Sequence, residues 1–312
     1  MGSDLQLHAI DLLWSLWTEL GVPGLTRRHE HVAIDPEPLI VASPWIAEGD
    51  ARLRDEVHRW CAAHADRISV SRLQGLLRRA TPEVRGAFGQ LAATLAVSSG
   101  ARWPTAPEDV PWPRAPDPRP PALPTTRPSL ARLRVRALAG VGARADVVAE
   151  LLGRTAVWTT ASDLDTLGYS KRNVARVLSE LADAGLAREL ADGNARTFQL
   201  DCGEAWTRLL HVEEVGWPHW DAVMRLVIAL LSLAGIERRP ATVRRVEAAK
   251  VSEVLRPLAA TLGLAAPPAP RGDPEIDARL RAWAAEQAGA LADGTSVAFR
   301  VRATHEERVS AS

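Results

Sequence analysis

Within eight residues the chain places Tyr169, Ser170, Lys171, Arg172, Asn173 and Arg176. This is a set of hydroxyl, amide and cationic side chains suited to a polyanion. Arginine can bridge guanine O6 and N7 or grip a phosphate with two parallel N–H donors. Val174, Val177, Leu178 and Leu181 recur at helical spacing, which predicts a helix with one apolar face. Tyr169, Arg172, Arg176 and Ser179 then fall on the opposite face, with Lys171 and Asn173 on its flanks. The acids Glu180 and Asp183 come only in the last turns, so positive charge gathers at the N-terminal half. Farther along, Asn194 and Arg196 lie beside an Asp192-Gly193 pair and join the same candidate surface.

The flanking residues say how that helix is held. Ser170 can cap its start and Gly185 can stop it near Ala184. Thr160 and Asp163 are spaced to cap a short preceding helix over about 162–167, which Gly168 ends, so the turn between the two is tight. Leu186 to Leu190 and Arg196 to Leu200 flank Asp192-Gly193-Asn194, and Asp-Gly supplies the positive φ angles of a tight hairpin turn. Upstream, Ala143 to Leu152 reads as a helix and Thr155 to Trp158 as a short strand. Between Leu130 and Leu138, Leu133, Val135 and Ala137 alternate with Arg132, Arg134 and Arg136, which fits a strand and equally a short helix.

The segment TASDLDTLGYSKRNVARVLSELADAGLARELADGNARTFQL resembles the winged helix-turn-helix of bacterial transcriptional regulators. That resemblance implies double-stranded DNA as partner, with the N-terminal half of the second helix entering the major groove. It covers about a quarter of the chain and carries no residue diagnostic of one subfamily. The opening segment LWTELGVPGLTRRHEHVAIDPEPLIVASPWIAEGDARLRDEVHRWC is similar to the start of bacterial winged-helix proteins, which again implies a regulator. Some winged helices serve as protein-interaction modules instead, so fold alone does not decide the use.

The chain has 312 residues, 46% of them hydrophobic, enough for two or three packed units. Lys+Arg 38 against Asp+Glu 38 cancels, so a polyanion footprint has to be local. Between Leu130 and Leu200 ten basic residues face eight acidic ones, which suits modest groove reading rather than polycationic binding. Residues 1–98 carry ten arginines against twelve acids and read as an all-α domain, with helices near 5–20, 36–47, 51–65, 69–77 and 82–95. Asp35-Pro36 there reads as a cap followed by a first-turn proline. Ten of the 22 prolines lie between Arg102 and Pro128, which excludes regular structure and reads as a semi-rigid linker over 99–129. Beyond a winged module over 130–203, residues 204–312 read as a helical region, with helices near 220–234, 242–262 and 274–291 and a closing strand at 296–302. Two cysteines, Cys61 and Cys202, make no disulfide framework. The longest apolar run, Val227 to Leu233, is far short of a membrane span, and no leader is evident.

Other constellations argue against chemistry. His58, Cys61 and His64 have metal-like types, but three residues at i, i+3 and i+6 fan across a helix and lack a fourth ligand. Gly2-Ser3 with Asp11 lacks the second carboxylate that two-metal nucleotidyl transfer needs. Gly140-Val141-Gly142 has no strong strand before it and no distal acid, and no serine or cysteine sits in a nucleophile elbow. Trp14 and Trp17 read as core, whereas Trp217 and Trp220 bracket His219 as a pocket rim. The expected protein is mainly α: an N-terminal all-α domain, a central winged helix-turn-helix and a C-terminal helical region. It is expected to be a cytoplasmic DNA-binding regulator, a repressor by type, with no enzyme activity, cofactor, metal or membrane. A homodimer is expected through the apolar 223–234 helix, because symmetric operators need two reading helices. The slightly acidic N-terminal domain is the expected seat of a protein or small-molecule effector. The alternative is a protein-interaction component, such as an antitoxin or phage-defence accessory factor, in which the winged module is auxiliary.

Overall fold

In the computed structural model, residues 2–112, 122–155, 157–192, 195–201, 203–212, 214–236, 239–269 and 275–300 are described. They are mainly helical, with one small two-stranded antiparallel sheet. Five helices open the chain: α1 (Gly2–Glu19), α2 (Pro36–Ile46), α3 (Ala51–His64), α4 (Val70–Leu77) and α5 (Pro82–Ser99). Each begins or ends within a residue of where the sequence placed it, and the caps of α3, α4 and α5 are local. The Asp50, Ser69 and Thr81 side chains accept from the backbone N–H groups of Leu53, Arg72 and Val84, and Gly100 closes α5 at φ 73°. Asp35 departs from its expected role. It sits at the N-cap position before Pro36 but makes no cap hydrogen bond, because its carboxylate is taken by Arg72.

The chain then runs through α6 (Ala131–Ala139), α7 (Ala143–Leu152), a 3₁₀ turn (Ser162–Leu167), α8 (Lys171–Asp183), the hairpin β1 (Ala187–Asp192) and β2 (Ala195–Leu200), and α9 (Gly203–Leu210). It finishes with α10 (Trp220–Ile236), α11 (Ala241–Leu262) and α12 (Ile276–Ala292). Of the two readings open for 130–138, the helix holds, for a reason that only the fold shows: Arg132 and Arg136, four apart, face inward together. The closing strand expected at 296–302 is instead a 3₁₀ turn over Val297–Phe299, capped by Ser296. Phe299 anchors it, with its ring tilted against Trp220 and edge-on to His29. Residues 301 and 302 lie outside the described residues.

Two hydrophobic interiors result. The first joins α1–α5 to α10–α12, since α1 packs against α10 and α12, and α10 also against α2 and α11. Residues 2–98 and the C-terminal helices therefore share one core rather than forming separate interiors. Trp17 and Trp60 lie fully buried in it, edge to face at 5.4 Å, with their indole N–H groups donating to Ser43 Oγ and the Leu20 carbonyl. The α10 helix, expected at a dimer interface, is interior instead. Val223, Leu226, Val227, Leu230 and Leu233 are all buried, each contributing ~1.5–3 kcal/mol. Trp220 likewise is a core residue, donating to the Ala33 carbonyl at 2.6 Å, and Trp217 is also buried, so the two do not form a pocket rim.

The second interior belongs to α6–α9 and the hairpin. The strand expected at 155–158 is reduced to a single bridge, Thr159 to Phe198. The described parts of 99–129 hold no strand and, beyond Ser99, no α-helix, as proline density demands, but they turn near 107 and 125, end in a 3₁₀ turn at Pro128–Leu130, and lie on the first core. Trp103 is buried and stacks on Phe88, and Arg127 donates to the Thr18 and Glu19 carbonyls. Among the described residues no three histidine, cysteine or acidic side chains are arranged to hold a metal. His58 instead bonds Ser98 Oγ, His64 lies edge-on to Trp60, and burial pushes the Cys61 thiol up. No described helix is long and apolar enough to cross a membrane.

Candidate nucleic-acid interface

The position of α8 is set from beneath by a buried ionic cluster. Arg136 donates to Asp146 Oδ1 at 2.7 Å and to Glu37 Oε2 at 2.8 Å. Arg72 takes Asp35 and reaches Glu37 Oε2 at 2.9 Å, and Arg132 takes Glu150. All three guanidinium groups are essentially inaccessible to water. Burial works against ionisation in each acid, and the result depends on the cations nearby. Arg72 and Arg132 hold Asp35 well below the usual carboxylate range, and Arg132 holds Glu150 low. Glu37, which also faces Asp146, is pushed up by burial. Removing one member of such a cluster strands a buried charge, so these side chains bind α2, α4, α6 and α7 into one arrangement.

The turn before α8 is tied to α4 as well. The Arg72 Nε donates to the Leu167 carbonyl at 2.9 Å, and Arg79 donates to the Thr166 carbonyl at 3.1 Å. Gly168 has φ 81°, and its carbonyl oxygen lies where a Cβ on Gly75 would be. Both glycines are therefore required, one by its backbone angle and the other by close approach. Tyr169 belongs to this inner arrangement and not to the outer face. Its hydroxyl donates to Asp146 Oδ2 at 2.7 Å and pairs with Ser69 Oγ at 2.8 Å. It precedes the cap residue, so the helical period that placed it with Arg172 does not govern its direction.

From Ser170 onward the outer face is as expected. The Ser170 hydroxyl accepts from the Asn173 backbone N–H at 3.3 Å, while Val174, Val177, Leu178 and Leu181 are buried beneath. Lys171 and Arg172 are exposed on the first turn, and neither makes an ion pair among the described residues. Arg176 is also exposed but is held by Glu180 and donates to Asn173 Oδ1 at 2.9 Å. Arg144 reaches the same Glu180 at 2.9 Å, and hydrogen bonds from Arg144 and Arg176 lower that carboxyl.

On the hairpin, β1 and β2 pair antiparallel with Ala191 opposite Arg196 and Glu189 opposite Phe198. Arg196 is exposed and forks onto Glu189, with its NH2 at 2.6 Å from Oε2, while lying 5.5 Å from the Phe198 ring. Arg188 projects from the neighbouring strand, donating to Gln199 at 2.7 Å and lying over Trp158. Asn194 lies outside the described residues.

Arg72, Arg132 and Arg136 were not singled out by the sequence reading. The signal was present: Arg132 and Arg136 are four apart on one helix, and Asp146 and Glu150 are four apart on the next. Across an antiparallel helix pair these match crosswise, Arg136 to Asp146 and Arg132 to Glu150. Two arginines and two acids thus leave the surface together, so the small basic excess of 130–200 persists on the outside. Comparisons of the chain with protein-family models, curated proteins and solved structures found no match in any of the three.

Proposed function

We propose that the region 130–203 is a winged helix-turn-helix and that the chain is a sequence-specific DNA-binding regulator. In this reading α8 enters the major groove and the β1–β2 hairpin is the wing. The observation that carries it is the pair Lys171 and Arg172, exposed on the first turn of a helix whose opposite face is fully buried and whose base is locked by ion pairs. A cationic first turn suits phosphate or guanine, and the helix N-terminus adds its own preference for anions. Arg176 and Arg196 are held by surface acids, but exposed ion pairs of this kind are screened by solvent and hold their partners weakly. A phosphate can therefore displace Glu180 or Glu189 at small cost.

The structure supplies no special reason for the dimer interface to be α10. If two copies read a symmetric site, the contact lies elsewhere. The interaction-module reading is the alternative, favoured by the acids that neutralise Arg144, Arg176 and Arg196 on the same surface. Fluorescence anisotropy with the purified full chain and duplex DNA from its own upstream region distinguishes the two. Saturable binding at physiological salt, weakening steeply as salt rises, is expected for the regulator. Absence of binding to that duplex at low salt contradicts it.

A further inference from the structure

A cavity of about 260 Å³ opens between α2, α4, α5, α10 and α11, with Val41, Leu76, Val84, Met224, Ile228 and Leu258 in its walls. Its lining is mostly apolar, Thr81 and Ser232 spending their hydroxyls on their own helices, and its charged groups Arg79, Asp221 and Arg225 meet at one end. The Arg79 and Arg225 guanidinium groups stand 3.5 and 3.9 Å from the same Asp221 oxygen, longer than good hydrogen bonds. The Nε of Arg79 is buried and donates to nothing. Burial pushes the Asp221 carboxyl up even with both arginines beside it. Two permanent cations thus flank one acid, so the polar end of the cavity carries surplus positive charge.

We propose that this cavity binds a small carboxylic acid, with its carboxylate between Arg79 and Arg225 and its hydrocarbon body along α10 and α2. A cavity of about 150 Å³ accepts benzene, so this one accepts on the order of ten non-hydrogen atoms. An amine head group would meet two guanidinium groups. A partner helix, about 10 Å across, needs more room than this volume gives.

Arg79 also gives the site a route to α8. The same guanidinium donates to the carbonyls of Asp165 and Thr166, in the turn that leads into that helix. A carboxylate that recruits Arg79 competes for those donors, so ligand and DNA affinities would be reciprocally coupled. This coupling, unlike the site itself, rests on the DNA-binding reading.

The test is calorimetry on the full chain without DNA, using octanoate, 1-octanol and octylamine as probes of one length. Octanoate is expected to bind, with the alcohol and amine at least about tenfold weaker. Arg225→Ala, at a half-exposed position, should weaken octanoate about tenfold and leave 1-octanol unchanged. No octanoate binding, equal affinity for all three probes, or equal octanoate affinity in the parent and Arg225→Ala overturns the proposal. Because no DNA is present, a chain that failed to bind DNA would leave this result readable.

Discussion

Arginine occurs in two settings in the central region, and the contrast separates structure from availability. On the inner side, Arg132 and Arg136 of α6 and Arg72 of α4 are buried and matched by Asp35, Glu37, Asp146 and Glu150. On the outer side, Lys171 and Arg172 project into water, and Arg176 and Arg196 are exposed and paired with the surface acids Glu180 and Glu189. The inner set cannot meet a ligand without dismantling the fold. The outer set can change partners at little cost, since solvent already screens its ion pairs. Residue type is the same, so what distinguishes a glue from a grip is the depth at which the backbone holds it.

The largest effect should come from the inner set. Arg136→Ala leaves Glu37 and Asp146 buried without their shared cation, and denaturant unfolding should show a loss of about 3–5 kcal/mol. A loss as small as that of an exposed arginine, within about 0.5 kcal/mol, would erase the contrast.

Protonation sharpens it next. His29 lies buried between Ser15 Oγ and the Leu291 carbonyl, so Nε2–H donates and Nδ1 accepts, and burial pushes its pKa down to about 4. A folded pKa below the unfolded value means that stability is complete above about pH 6.5 and falls as the unfolded chain takes up the proton, by about 3 kcal/mol on reaching pH 4. Below that, Asp35 and Glu150, held low in the fold, should steepen the loss. His29→Gln should flatten the slope between pH 6.5 and 4; an unchanged slope would remove His29 as its cause.

Tyr169 tests which side of the divide a residue is on. Tyr169→Phe removes the donor to Asp146, and thermal or denaturant unfolding should register about 1–3 kcal/mol. Unchanged stability with impaired DNA binding would return Tyr169 to the outer face. The smallest expected effect is at the hairpin. Arg196→Ala should leave stability unaltered and reduce the salt dependence of DNA binding by about one charge. An identical salt slope would take Arg196 out of the footprint.

Much of this was legible in the sequence because it is locally determined. The boundaries of α8, its Ser170 cap, the stop at Gly185 and the hairpin each depend on residues a few positions apart. The ionic cluster was not legible, because Asp35, Arg72, Arg136 and Asp146 meet only when distant helices pack. The alternation at 132, 134 and 136 looks the same in a strand and a short helix. Tyr169 was misplaced by extending the helical period one residue past its cap. The apolar α10 showed that it must be covered, but its composition does not say by what, and the first helices of the chain cover it.

The central claim is that the outer cations of α8 read DNA while the inner ones hold the fold. Its most direct test is the operator affinity of the Arg172→Ala/Arg176→Ala double variant beside the parent at matched salt, with circular dichroism of both. The account predicts an unchanged fold and specific binding weakened by about 1–3 kcal/mol for each side chain that reads a base. A folded double variant that binds the operator as tightly as the parent would contradict it.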